Sequence, residues 1–80
     1  MGKIYQFGNV RIVIYANDHL PAHFHILAPG AEALVGISPL RILKGSVPAK
    51  VERTAMTWAT ANVAMLKAEW NRINARFPVA

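Results

Sequence analysis

The sequence predicts an α+β domain, an antiparallel β-meander of four to five strands with a C-terminal helix packed on one face. Short runs rich in β-branched and aromatic residues, separated by turn residues, fill the front half of the chain. From Pro48 onward, apolar residues instead recur at three- and four-residue steps, as in an amphipathic helix. A length of 80 residues allows one small core, so we expect a single domain over residues 1–80.

Turn residues separate the predicted strands. Gly8-Asn9 and Pro29-Gly30 are two-residue turn signals between runs that fit antiparallel hairpins. The loop before the third strand contains Asn, Asp and Pro, which favour turns for separate physical reasons. The predicted strands cover residues 3–7, 10–15, 23–27, 32–37 and, as a shorter fifth strand, 40–43.

The back half of the chain is predicted to be helical. Ser46 fits an N-cap, Pro48 fits the first turn and Pro78 marks the far end. A single helix of about 28 residues would be about 42 Å long, which exceeds the expected width of the sheet. One continuous helix and two helices with a break near Asn62 therefore both stay open. The stripe that faces the sheet consists of Val51, Ala55, Trp58, Asn62, Met65, Leu66, Trp70, Ile73 and Phe77.

Composition limits the classes of function. The chain has no cysteine, which excludes disulfides and thiolate metal sites. No apolar run approaches the roughly 20 residues that span a bilayer, so we expect no membrane contact. The absence of cysteine fits a cytoplasmic protein. The net charge of +5 favours phosphates, nucleic acid or an acidic protein partner. With 54% hydrophobic residues, some apolar surface is expected to be covered by a partner or by a second copy in a homo-oligomer.

Every histidine and the only aspartate lie within residues 17–25. Side chains alternate along a strand, so His23 and His25 share one face while Phe24 and Ile26 share the other. Packing of the apolar pair against the apolar positions of the second strand fixes the register. We expect the polar face, opposite the helix, to be at least partly open. The cross-strand neighbours are then Tyr15 with His23, Val13 with His25 and Arg11 with Leu27.

Three interpretations of the histidines stay open. They are structural if they cap the loop or bond the backbone. They are catalytic if two imidazoles act as general base and general acid in metal-free RNA cleavage, with Arg, Lys or Tyr stabilising phosphate charge. They are metal ligands if His23 and His25 hold an ion such as zinc, with His19 or Asp18 as third ligand. No Walker A motif, dinucleotide-binding glycine pattern or nucleophile elbow is present, so ATP, NAD and serine chemistries have no support.

The histidine segment resembles the signature of a family of small bacterial proteins of unknown function, Tyr-Ser-Asn-Asp-His-x-Pro-Pro-His-x-His-Val. The chain departs from it at Ala16, where Ser is usual, and at Ala22, where the second Pro is usual. The resemblance extends over nearly the whole chain. Its other parts are Phe7-Gly8, the approach Leu43-Lys44-Gly45-Ser46-Val47-Pro48, and the order Trp58, Asn62, Leu66 and Trp70.

The resemblance implies a toxin–antitoxin-like component, because genes of this family often lie beside a second small gene in that arrangement. A small protein encoded by the neighbouring gene is then the expected partner, and RNA is the expected target. Residue by residue, the resemblance carries over the ionisable positions Asp18, His19, His23 and His25.

The catalytic hypothesis assigns a role to each of these positions. His23 and His25 are general base and acid in either order, without a cofactor, and Asp18 orients an imidazole. Tyr15 and Arg11 contact phosphate. A non-enzymatic binding module, with or without zinc, is the alternative, so the sequence leaves open whether the protein is an enzyme.

Overall fold

The chain folds as one antiparallel sheet followed by two helices. A computed structural model describes residues 3–16, 20–76 and 78–79. The strands are hydrogen-bonded in chain order, which makes the sheet a five-stranded meander and confirms the predicted α+β class. The elements are β1 (Lys3–Phe7), β2 (Val10–Val13), β3 (His23–Ala28), β4 (Ala31–Ile37), β5 (Leu40–Ser46), α1 (Ala49–Ala61) and α2 (Val63–Ile73). Within the described part of the chain, no helix is long and apolar enough to cross a membrane.

The register of the central strands follows the apolar pattern. Arg11 pairs with Leu27 and Val13 pairs with His25, as predicted. The predicted pairing of Tyr15 with His23 is wrong, because β2 ends at Val13. Beyond that point the Tyr15 carbonyl oxygen accepts a hydrogen bond from the side chain of Asn74 (Nδ2–O 3.0 Å), which ties the chain after β2 to the end of α2.

The helical half is broken at Asn62, one of the two predicted arrangements. The φ and ψ angles of this residue are −128° and 25°, outside the helical range. Its side-chain amide donates to the carbonyl oxygen of Trp58 (Nδ2–O 2.8 Å), and its own carbonyl oxygen accepts from the N–H of Leu66 (N–O 2.9 Å). Such side-chain bonding to the backbone competes with the helical ladder, so one polar residue in the apolar stripe divides the segment into two helices.

One face of the sheet is buried beneath the helices. Phe24 and Ile26 of β3 are fully buried there, as are Leu66 and Trp70 of α2. Since side chains alternate along β3, His23 and His25 project from the other face. The helical layer therefore covers the side of the sheet that the sequence predicted.

The last strand contains a position that only glycine fits. Gly45, which pairs with Ala33, has a φ of +77°, which L side chains rarely adopt. A Cβ atom on Gly45 would overlap the backbone carbonyl oxygen of Glu32 and lie 3.3 Å from the Cα of Ala33. Gly45 thus lets β5 lie directly against the backbone of Glu32.

Candidate functional site

Three rows of paired residues cross the side of the sheet opposite Phe24 and Ile26. We call this surface the histidine face and define it by the ionisable residues that these rows and the adjoining loop place on it, Arg11, Tyr15, His23, His25, Glu32, Arg41 and Lys44. The first row runs Arg11, Leu27, Glu32, Ser46; the second runs Val13, His25, Leu34, Lys44; the third runs His23, Gly36, Arg41.

The two imidazoles lie side by side at the centre of the histidine face. The ring centroids of His23 and His25 are 5.1 Å apart and the ring planes make an angle of 62°. This contact agrees with the prediction that alternate residues of the third strand project together. The pair is close enough for both rings to contact one small group.

A fixed acceptor holds each imidazole. His23 donates through Nδ1 to the carbonyl oxygen of Pro21 (2.8 Å), and His25 donates through Nδ1 to the carboxylate of Glu32 (Oε2, 2.9 Å). A carbonyl oxygen and a carboxylate only accept hydrogen bonds, so in both rings Nδ1 carries the hydrogen. In the neutral rings Nε2 is then the basic nitrogen, which is the nitrogen that would exchange protons or bind a metal ion.

The imidazoles are less open than the sequence predicted. His23 is 2% exposed, the side chain of His25 is 12% exposed, and the Nε2 atom of His25 is buried. The two imidazoles at the centre of the face are therefore largely covered. Two aromatic side chains explain the difference, because the Trp70 ring lies 5.4 Å from that of His23 and the Tyr15 ring packs edge-on 4.7 Å from that of His25.

The rim of the histidine face is open, in contrast to its centre. Arg11, Arg41 and Lys44 are exposed, and Tyr15 is 44% exposed. Tyr15 and Arg11, the predicted phosphate contacts, therefore lie at the accessible edge of the site. Arg41 and Lys44 add two cations that the sequence analysis did not assign.

Glu32 is a third site residue that sequence reasoning missed, after Arg41 and Lys44. The prediction gave the orienting carboxylate to Asp18 because that residue lies close to the histidines in sequence. Asp18 and His19 fall outside the described residues, while Glu32 holds His25. A signal for Glu32 was present, because the turn at Pro29-Gly30 places it opposite Leu27, diagonal to His25 on the same face.

The predicted metal set is only partly described. Among residues 3–16, 20–76 and 78–79, no group of three or more His, Asp or Glu residues is placed to hold a metal ion. His23 and His25 are the two proposed ligands that the structure brings together. His19, the expected third ligand, is not described.

The comparison with known proteins identifies a family but no function. A family model described as a domain of unknown function (DUF4160) matches residues 9–71, which include every described residue of the histidine face. No curated protein and no solved structure matches the chain.

Proposed function

The chain belongs to the DUF4160 family of domains of unknown function, and we propose that it is a toxin–antitoxin-like protein whose histidine face binds and cleaves RNA. One observation carries this proposal. Three exposed cations lie on the same side of the sheet as two imidazoles whose Nδ1 atoms are both held by acceptors. Among the described residues of that face the only carboxylate is Glu32, and it accepts from His25.

The distribution of charge on the histidine face suits a polyanion. Arg11 lies in the first row, Lys44 in the second and Arg41 in the third, so the cations are spread along the strands rather than gathered at one point. Adjacent strands are about 4.8 Å apart. Arg11 and Lys44 are three strands apart in the meander, at β2 and β5, so they contact phosphates on opposite sides of the histidine pair.

The imidazole pair supplies the chemistry of cleavage. In this mechanism one neutral imidazole accepts the proton of a ribose 2′-OH through Nε2, and the 2′ oxygen attacks the adjacent phosphorus. The second imidazole, protonated, donates its proton to the leaving 5′ oxygen, which leaves a 2′,3′-cyclic phosphate and a free 5′-OH. The Tyr15 ring packs on the His25 ring and the Trp70 ring packs on the His23 ring, so the mechanism requires both aromatic side chains to move before RNA reaches the imidazoles.

RNA binding is tested by removing the cations of the rim. The triple variant Arg11→Gln, Arg41→Gln, Lys44→Gln is expected to bind a short single-stranded RNA about tenfold to 100-fold more weakly at low salt, because three phosphate contacts are lost. The slope of log affinity against log salt concentration is expected to fall by about 2, since each phosphate contact on a single strand contributes about 0.7. Fluorescence anisotropy over a salt series measures both quantities.

A matched control variant removes the same number of positive charges from another part of the surface. Arg53, Arg72 and Arg76 are exposed and lie on or after the helices, so the variant Arg53→Gln, Arg72→Gln, Arg76→Gln should keep the salt slope of the natural sequence. Equal loss of affinity in the two triple variants would mean that RNA responds to net charge and not to the histidine face.

Cleavage is tested separately from binding. His25→Asn is expected to lower the RNA cleavage rate at least about 100-fold, because one partner of the proton exchange is removed, while anisotropy still detects bound RNA. Glu32→Gln keeps an oxygen acceptor for Nδ1 and should lower the rate by a smaller factor. An RNA with a single 2′-deoxy position should resist cleavage at that position. If the natural sequence binds RNA but does not cleave it, the proposal of RNA binding stands and the proposal of ribonuclease activity is wrong.

Zinc binding is a second candidate function, favoured by the anchoring of both Nδ1 atoms. Metal-ligating histidines usually donate their other ring nitrogen to a carboxylate or a backbone carbonyl, as His25 and His23 do. Two imidazoles that share one ion through bonds of about 2.0–2.1 Å have ring centres about 5 Å apart, and the centres here are 5.1 Å apart.

Calorimetric titration of the metal-free protein with zinc chloride tests the second candidate. One zinc ion per chain and a higher melting temperature are expected, because an ion that binds only the folded state stabilises it. The double variant His23→Asn, His25→Asn should lose both effects. A melting temperature that zinc and chelators leave unchanged would rule this candidate out.

A further inference from the structure

The two edges of the sheet differ in the charge that they carry. The edge strand β5 carries Arg41 and Lys44 with a register shift between them, features that discourage pairing with another chain. The other edge strand, β1, has Lys3 and a register shift at its start, but its remaining residues, through Phe7, are uncharged. The second half of β1 is therefore less protected against pairing with another polypeptide than β5.

Aromatic side chains line this edge of the sheet. Tyr5 of β1 is 37% exposed, and its ring stacks on that of Trp58 in α1 with centroids 4.5 Å apart and an angle of 11°. The Phe7 ring lies 5.9 Å from that of Tyr5. Tyr and Trp are enriched where proteins meet, because they supply a large apolar contact with a polar tip.

A cavity continues this aromatic wall toward the start of α1. Of its lining residues, Phe7 and Val51 provide apolar surface and Lys50 is the only one that ionises. The full lining is Phe7, Gly8, Asn9, Val10, Lys50, Val51 and Thr54. The side chains around the cavity thus combine apolar walls with one positive charge.

We propose that this surface, which we call the β1–α1 groove and define by Tyr5, Phe7, Lys50, Val51, Thr54 and Trp58, binds an extended apolar and acidic segment of a partner protein. The segment lies along the outer edge of β1, where main-chain hydrogen bonds add a strand. One aliphatic side chain enters the cavity beside Phe7 and Val51, and a carboxylate lies near Lys50. Charge complementarity selects this occupant, because the groove has one cation and no acidic lining residue and the protein carries a net charge of +5.

The groove and the histidine face are separate surfaces. Tyr5 pairs with Ile12, which is buried on the helix-covered side of the sheet, whereas His25 projects from the opposite side. A partner in the groove therefore leaves the rim of the histidine face uncovered. The two surfaces can be tested independently.

The test uses two fluorescein-labelled peptides of nine residues, one alternating Val with Glu and the other alternating Val with Lys. Fluorescence anisotropy is expected to show about tenfold tighter binding of the acidic peptide. Lys50→Glu should weaken that binding about threefold to tenfold and leave RNA binding unchanged. Lys44→Glu, the same charge change on the histidine face, should weaken RNA binding and leave the peptide unaffected. Tyr5→Ala should weaken the binding of the acidic peptide, because apolar contact is lost.

Three outcomes would overturn the proposal. The first is equal binding of the two peptides, and the second is equal loss of peptide binding in Lys50→Glu and Lys44→Glu. The third is binding of a second copy of this chain in the groove, which sedimentation would show as a dimer that Tyr5→Ala converts to a monomer. Circular dichroism of each variant confirms that a loss of binding does not come from unfolding.

Discussion

Replacing Gly45 with alanine is expected to lower the free energy of unfolding by about 3 kcal/mol, from the sum of a strained φ angle and an overlap with backbone. The positive φ disfavours any Cβ, and the new Cβ would overlap the carbonyl oxygen of Glu32. A backbone atom in a paired strand cannot rotate away as a side chain would, so β4 and β5 must separate. Urea unfolding followed by circular dichroism measures the loss.

Gly30 supplies the matched control for Gly45. It also has a positive φ, +70°, but nothing lies within 4 Å of a Cβ built on it. Gly30→Ala should therefore lower the free energy of unfolding by only about 1 kcal/mol, the cost of placing alanine at a positive φ. Similar losses in the two variants would show that the close approach to Glu32 contributes nothing. Because Glu32 also holds His25, we expect Gly45→Ala, but not Gly30→Ala, to lower RNA cleavage in the fraction that stays folded.

The second large effect is expected at Trp70. Trp70→Ala should cost about 3–5 kcal/mol, as is usual for truncation of a fully buried aromatic residue. An 80-residue domain has a total stability of about 4–12 kcal/mol, so a loss of this size removes a large part of the stability of the fold. Trp70→Phe keeps an aromatic ring and should cost less, so thermal unfolding of that variant gives a measurable shift of about 4–8 °C for each kcal/mol lost.

Trp58 provides the comparison for Trp70. It is partly buried and stacks on an exposed tyrosine, so Trp58→Ala should cost clearly less than Trp70→Ala. The two tryptophans should also differ in their effect on the imidazoles. Only Trp70 contacts His23, so the NMR signals of the His23 ring should shift in Trp70→Phe and remain in place in Trp58→Ala. A larger destabilisation at Trp58 would contradict the assignment of Trp70 to the core.

The sheet was predictable from sequence because its constraints are local. Two-residue turns bring neighbouring strands together, and the apolar residues of β2 and β3 must share a face, which fixed the pairs Arg11–Leu27 and Val13–His25. The end of β2 was not predictable. Just beyond it, the Tyr15 carbonyl oxygen accepts a hydrogen bond from Asn74, 59 residues away in the chain, and no local pattern indicates that contact.

The candidate site shows the same division between local and distant information. Alternation along β3 was enough to place His23 and His25 together. Their burial was not, since it depends on how α2 brings Trp70 to His23. The position of Glu32 could have been predicted, because the turn at Pro29-Gly30 sets the register of the β3–β4 hairpin and so places Glu32 opposite Leu27.

The bond from Asn74 to Tyr15 has a consequence for when the site forms during synthesis. The strands that carry the imidazoles leave the ribosome well before α2, but Trp70 and Asn74 complete the surroundings of His23 and Tyr15. Contacts so distant in sequence form late because their loops are long. A nascent chain that has not yet reached its second helix therefore holds the histidines without the finished pocket around them.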